Sequence, residues 1–211
     1  MVAYERFVLL ALLATGVLGV TALLFPAQKE VGPVSATGSG TSGLVLNLSI
    51  NASSIGQGHS VEVHISESNS LSTMNNVTAA RDWGTTFPLG RCSANYPFGI
   101  GLLKGHYMLQ NFTQGERVSL QSPIQNYLCV KPPFSTSYYH FLPNSDTAVV
   151  QVDLGNQTVT LPMKTSISIA GYWTAGGSFT PLQHGTYTLV AGDEWGALAL
   201  LHFSVNYSLV P

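Results

Sequence analysis

Six histidines, ten carboxylates and two cysteines are the residues with chemistry to offer in this 211-residue chain. His59, His64, His106, His140, His184 and His202 form no HxH, HxxxH or HExxH spacing, so no local pattern presents two imidazoles to one metal. Hydrolysis needs a nucleophile, a base and a group that orients the base. The chain has no Gly-x-Ser-x-Gly, and its carboxylates are scattered except for the adjacent pair Asp193-Glu194. That pair sits beside Trp195, between Gly192 and Gly196, where a turn belongs. Two readings of the turn stay open. The acids serve turn geometry and the indole folds back onto a sheet, or Asp193, Glu194 and Trp195 form a contact for a protein or glycan partner. The expectation is a protein without catalytic residues, cofactor or metal site.

The cysteines, Cys92 and Cys129, lie in no CxxC and near no Cys/His ligand pattern. An isolated pair in an exported protein is most simply a disulfide. Closing a loop of about 37 residues would stabilise the fold by about 4 kcal/mol in the chain-entropy model. Six Asn-x-Ser/Thr sequons occur, at Asn47, Asn51, Asn76, Asn111, Asn156 and Asn206. Roughly two would arise by chance in a chain of this composition, so the excess points to a glycosylated exterior. Charged residues make up only 9% of the chain and the formal net charge is −2. Nucleic acid, which needs a basic surface, is an improbable partner. Hydrophobic residues at 45% exclude a disordered chain.

These groups need a scaffold. Residues 7–25 read FVLLALLATGVLGVTALLF, 19 residues without a charge and without a polar face. A helix of that length reaches close to about 30 Å, the thickness of the hydrocarbon layer. The expected layout is a cytoplasmic N-terminus over 1–6, a transmembrane anchor over 7–25, a flexible Gly/Ser/Thr stalk over 26–43 and an extracellular β domain over 44–211. A cleaved signal peptide, with Val20-Thr21-Ala22 as a poor cleavage site, is the alternative, and a filament or surface-lattice subunit is another.

The domain shows period-2 alternation. Leu44, Leu46, Leu48 and Ile50 share one face, and Val61, Val63 and Ile65 alternate with Glu62, His64 and Ser66. Further strands are expected over 100–112, 117–120, 138–142, 147–153, 158–161, 166–173, 187–191 and 197–205. Many short strands separated by Gly/Pro turns mean a sandwich or barrel. The Pro-rich stretches 88–97 and 121–133 flank the cysteines and would form a rigid recognition surface if a disulfide pins them together.

The block Gly185-Thr186-Tyr187-Thr188-Leu189, the acidic turn and the strand from Ala197 to Val205 resemble the final hairpin of immunoglobulin-like modules. The pair Leu44–Ile50 and Gly56–Val63 resembles their first two strands. The whole pattern is also similar to uncharacterised archaeal membrane-anchored surface proteins. The resemblance implies an all-β, immunoglobulin-like two-sheet sandwich outside the cell, and no activity. Cupredoxins end in a similar Gly-Thr-Tyr strand, so a cupredoxin-like variant of the sandwich is the neighbouring expectation. In that register the metal-binding Cys, His and Met fall on Ala191, Glu194 and Ala199, so the thiolate a type 1 copper needs is missing. The reading is a membrane-anchored extracellular binding or cell-envelope module, tethered through 7–25, with a protein or glycan ligand. A metal-dependent enzyme is the remote alternative.

Overall fold

The computed structural model describes residues 32–79, 96–122, 137–152 and 155–207. The expected anchor over 7–25, both cysteines and most of the two Pro-rich stretches lie outside the described residues. Within them the chain is all-β. In chain order the first strands are β1 (Val34–Ser39), β2 (Leu44–Ile50), β3 (Ser54–Gly56), β4 (Val61–Asn69) and β5 (Asn75–Ala79). The middle of the chain supplies β6 (Phe98–Lys104), β7 (Glu116–Val118), β8 (Ser137–Phe141), β9 (Thr147–Val152) and β10 (Gly155–Pro162). The rest are β11 (Lys164–Ile169), β12 (Gly171–Trp173), β13 (Phe179–Pro181), β14 (Gly185–Asp193) and β15 (Leu198–Asn206).

Hydrogen bonding sorts the described strands into orders β1-β2-β4-β11, β10-β9-β8-β5, β3-β15-β14-β6-β7 and the pair β12-β13. The two-sheet expectation is therefore too simple. The first two groups are joined by a bridge between Asn69 and Ser145, and the last two by one between Ser119 and Trp173. The chain also passes from β10 to β11 with only Met163 between them, so one extended run serves two sheets. All ladders are antiparallel except β3 against β15.

Alternation becomes a core in the expected way. Leu44, Leu46, Leu48 and Ile50 are buried on the inner side of β2, facing inward with Val61, Val63 and Ile65 of β4. Leu189 and Ala191 of β14 and Leu201 and Phe203 of β15 close the same cluster from the other side. Tyr139, Phe141, Ala148 and Val150 complete it from β8 and β9. Removing this much apolar surface from water at about 25 cal/mol per Å² is the main favourable term.

Tyr187 lies near the start of β14, and its hydroxyl donates to the carbonyl of Gln183 at 3.1 Å while accepting from the Gln183 amide at 3.0 Å. This ties the corner before β14 to the strand itself, the arrangement called a tyrosine corner in immunoglobulin-type sandwiches.

Two expectations need correction. The supposed stalk is strand from Val34 onward, paired with β2 from Val34↔Ile50 to Ser39↔Val45. Its Gly/Ser-rich composition reflects proximity, because a Cβ on Gly38 would collide with the Leu198 carbonyl and one on Gly40 with that of Trp195. Strand pairing in the β domain therefore includes Val34–Ser39, ahead of Leu44. The strand expected over 100–112 ends at Lys104. Gly105 takes φ 105°, a left-handed value, and turns the chain back across the outer face of the sheet it has just left.

Candidate functional site

The β14–β15 hairpin carries two contrasting sites, one at its inner end and one on its outer face. On β14, Leu189, Ala191 and Asp193 are in phase, so Asp193 points to the core side, opposite Phe98 of β6. Its Oδ1 accepts from the Trp195 amide at 2.9 Å and the Ala197 amide at 2.6 Å, which closes the turn. The Trp195 indole folds back onto the sheets. Its Nε1 donates to the Thr78 carbonyl at 2.8 Å, and the ring sits edge-on to Tyr139 and Phe141, with centroids 5.9 and 6.4 Å away. The Trp195 carbonyl accepts from both the amide and the hydroxyl of Thr41, each at 3.1 Å, and the Glu194 amide donates to the Pro97 carbonyl at 3.0 Å. The turn thus gathers the β1–β2 connection, β5 and the entry to β6.

Facing Asp193 from β4 is Glu67, which is 0% exposed. It continues the inward phase of Val61, Val63 and Ile65, its amide donates to the Met163 carbonyl at 2.8 Å, and it stands opposite Leu46 of β2 in the strand register. As two ions the side chains would be mismatched, since both Glu67 oxygens and Asp193 Oδ2 are buried without a donor. A proton resolves this: a neutral Glu67 hydroxyl donates to the Asp193 carboxylate. Burial first, then the hydrogen bond to Asp193 and its negative charge, push the Glu67 carboxyl from 4.5 up to about 10. Glu67 is therefore a neutral acid at physiological pH, and the pair is one shared-proton contact between the two inner faces.

On the outer face, Thr188 and Val190 of β14 lie beside Leu103 of β6 and His202 and Leu200 of β15. The segment after Gly105 covers part of this face. The Tyr107 amide donates to Thr188 Oγ1 at 3.0 Å, Thr188 donates to the Gly105 carbonyl at 2.7 Å, and His202 Nε2 donates to the Tyr107 carbonyl at 2.7 Å. The His106 ring stacks on His202 at 3.8 Å. Beside this cover lies a groove of about 480 Å³, floored by Leu103 and Val190 and walled by Phe112, Val118 and Leu198. Arg117 stands at its rim, exposed and without an ion pair among the described residues. Its neighbour Glu116 is held by Lys104 at 3.0 Å. On the far side of the cover, Met108 and Leu109 are 54% and 53% exposed over a smaller cavity that shares Leu198.

No family model matches the chain. Neither a curated protein nor a solved structure matches it either.

The other singled-out residues are dispersed. Asn51, Asn76 and Asn111 are exposed and each accepts a hydrogen bond on Oδ1, from the Glu62 amide, His140 Nδ1 and the Met108 amide respectively. Among the described residues no hydrogen bond engages their Nδ2. Asn206 instead donates Nδ2 to Ser54 Oγ at 2.7 Å, and Asn47 donates to Val45 O and Ser68 Oγ at 3.4 Å. Asn156 lies on β10, and its side chain is outside the described residues. His59, His64 and His184 are exposed, and His184 stacks on Tyr207 at 4.0 Å. Among the described residues no three His, Cys, Asp or Glu side chains converge as a metal site. Sequence reasoning missed Glu67 and Arg117. Glu67 carried a readable signal, a carboxylate in the apolar phase of β4. Arg117 carried none, because the groove beside it is made by strands distant in sequence.

Proposed function

We propose that the chain is a membrane-anchored, exported binding module of the cell envelope, with an immunoglobulin-like sandwich presented outside the cell and no catalytic role. The observation that carries the binding reading is the outer-face groove: a concave apolar surface with Arg117, a cation without an ion pair among the described residues, at its rim, the usual make-up of a small-ligand site. The tyrosine corner at Tyr187 supports the immunoglobulin-like assignment. The apolar run over 7–25 supports the anchor. Exposed sequons at Asn51, Asn76 and Asn111 support the exterior location and are the three we assign to glycans; Asn206 and Asn47 use their amide nitrogens internally. In that compartment Cys92 and Cys129 form the disulfide.

Two measurements test this reading. Protease added to intact cells expressing the full chain should remove the β domain, and glycosidase treatment should lower its mass. In a thermal-shift screen of the purified full chain against a chemically varied panel, at least one compound should raise Tm saturably. Thr113→Trp, which sets an indole over the groove, should abolish that rise, whereas Asn111→Gln, which removes the same sequon without filling the groove, should keep it. A β domain protected on intact cells overturns the location; a panel without any Thr113→Trp-sensitive compound overturns the binding role.

A further inference from the structure

We infer that the groove takes a long-chain carboxylate, its apolar tail against Leu103, Val190 and Leu198 and its head group on Arg117. The inference rests on the binding reading above and names the ligand class for that site. The volume of about 480 Å³ falls within the roughly 300–1,000 Å³ typical of small-ligand pockets. Leu103 and Val190 are each only 3% exposed, so the floor of the groove is closely packed and little of it is wetted. Phe112 forms one wall and is itself positioned by the 3-10 turn that follows Asn111, whose Oδ1 accepts from the Met108 amide.

Polar capacity decides between ligand classes. The main chains of β6 and β14 are taken up by ladders, β6 with β14 and β7, and β14 with β6 and β15. The Ser119 hydroxyl is spent on the Gln121 carbonyl at 2.7 Å. A peptide brings one donor and one acceptor per residue and would leave most of them unpaired on this floor. An alkyl chain brings none. Among the described residues, the charged group at the rim without an ion pair is the Arg117 guanidinium, and a carboxylate matches its two-pronged donor geometry. Glu116 pairs through one oxygen with Lys104 and makes no ion pair with Arg117.

The test uses the detergent-solubilised full chain and a twelve-carbon carboxylate bearing a diazirine near its methyl end. Photolabelling should map to peptides spanning 98–119 and 185–206. Unlabelled dodecanoate should compete at least about tenfold better than dodecanol, since a charge-assisted hydrogen bond separates them. Arg117→Gln should weaken labelling by about tenfold with Tm unchanged, and Arg117→Lys should restore part of it. Label spread over the whole chain, equal competition by the alcohol, or wild-type labelling of Arg117→Gln would overturn the inference. If Thr113→Trp blocks a compound of another class while dodecanoate fails, the ligand class falls and the binding role stands. If no compound of any class is sensitive to Thr113→Trp, both fall.

Discussion

One sheet holds two ionisable groups in opposite circumstances. At the inner end of β14, Asp193 meets Glu67 where water does not reach, and the pair can exist only by sharing a proton. On the other side of the same sheet Arg117 stands in water beside an apolar groove and keeps its charge. The antiparallel ladder fixes both positions equally well. What differs most is hydration: burial is the first cause of the suppressed charge on Glu67, with the neighbouring Asp193 adding to it.

The largest expected effect breaks the inner site. Glu67 has a folded value near 10 against 4.5 when exposed, so folding favours its neutral form. Its contribution is fully present below pH 4.5 and is lost as pH rises toward 10. Stability from urea denaturation should therefore fall by about 3 kcal/mol between about pH 5 and pH 7. Glu67→Gln, whose amide can donate to Asp193 at any pH, should flatten that slope and be the more stable protein at neutral pH. An unchanged slope in the variant would show that Glu67 is not the group responsible.

Asp193→Ala comes next. It strands the Trp195 and Ala197 amides and should cost about 2–3 kcal/mol at neutral pH, offset in part because Glu67 loses a negative neighbour. Asp193→Asn keeps an acceptor for those amides, so it should cost less and lower the upper end of the pH slope. Comparing the two variants by denaturation at several pH values separates turn closure from charge. Trp195→Phe removes the hydrogen bond to Thr78 while keeping an aromatic ring, and should cost about 1 kcal/mol, read from the urea midpoint. Arg117→Gln on the outer face should change stability by less than about 0.5 kcal/mol at any pH, because a hydrated surface side chain without a partner contributes little. A larger loss would mean the outer face is more structural than the comparison allows.

Much of the fold was legible because alternation is a local signal. Leu44–Ile50, Val61–Ile65 and the hairpin from Gly185 to Val205 needed only period 2 and turn residues to be recognised. β1 was not legible as strand. Its Gly and Ser residues suit a linker as well as a strand pressed against another backbone, and only Leu198 and Trp195, more than 150 residues on, decide which. The strand expected over 100–112 ran too far because apolar residues continue past Gly105, where they cover a sheet face instead of extending it. Of the sites, the Asp193-Glu194-Trp195 turn stood out by composition, yet composition could not say that the indole turns inward to Thr78. Glu67 was half legible, since it extends the apolar phase of its strand, but its partner lies across the core on another sheet.

The contact of Thr41 with Trp195, spanning 154 residues, sets the order in which this protein can mature. β1 leaves the ribosome with Gly38 and Gly40 facing nothing, and their seat is built by β15 and the turn before it, more than 150 residues further along the chain. β3 waits as well, for its parallel neighbour β15. Completion of the sheet thus waits for β15, and a chain stopped before Leu198 would present an unfinished sheet edge ready to aggregate.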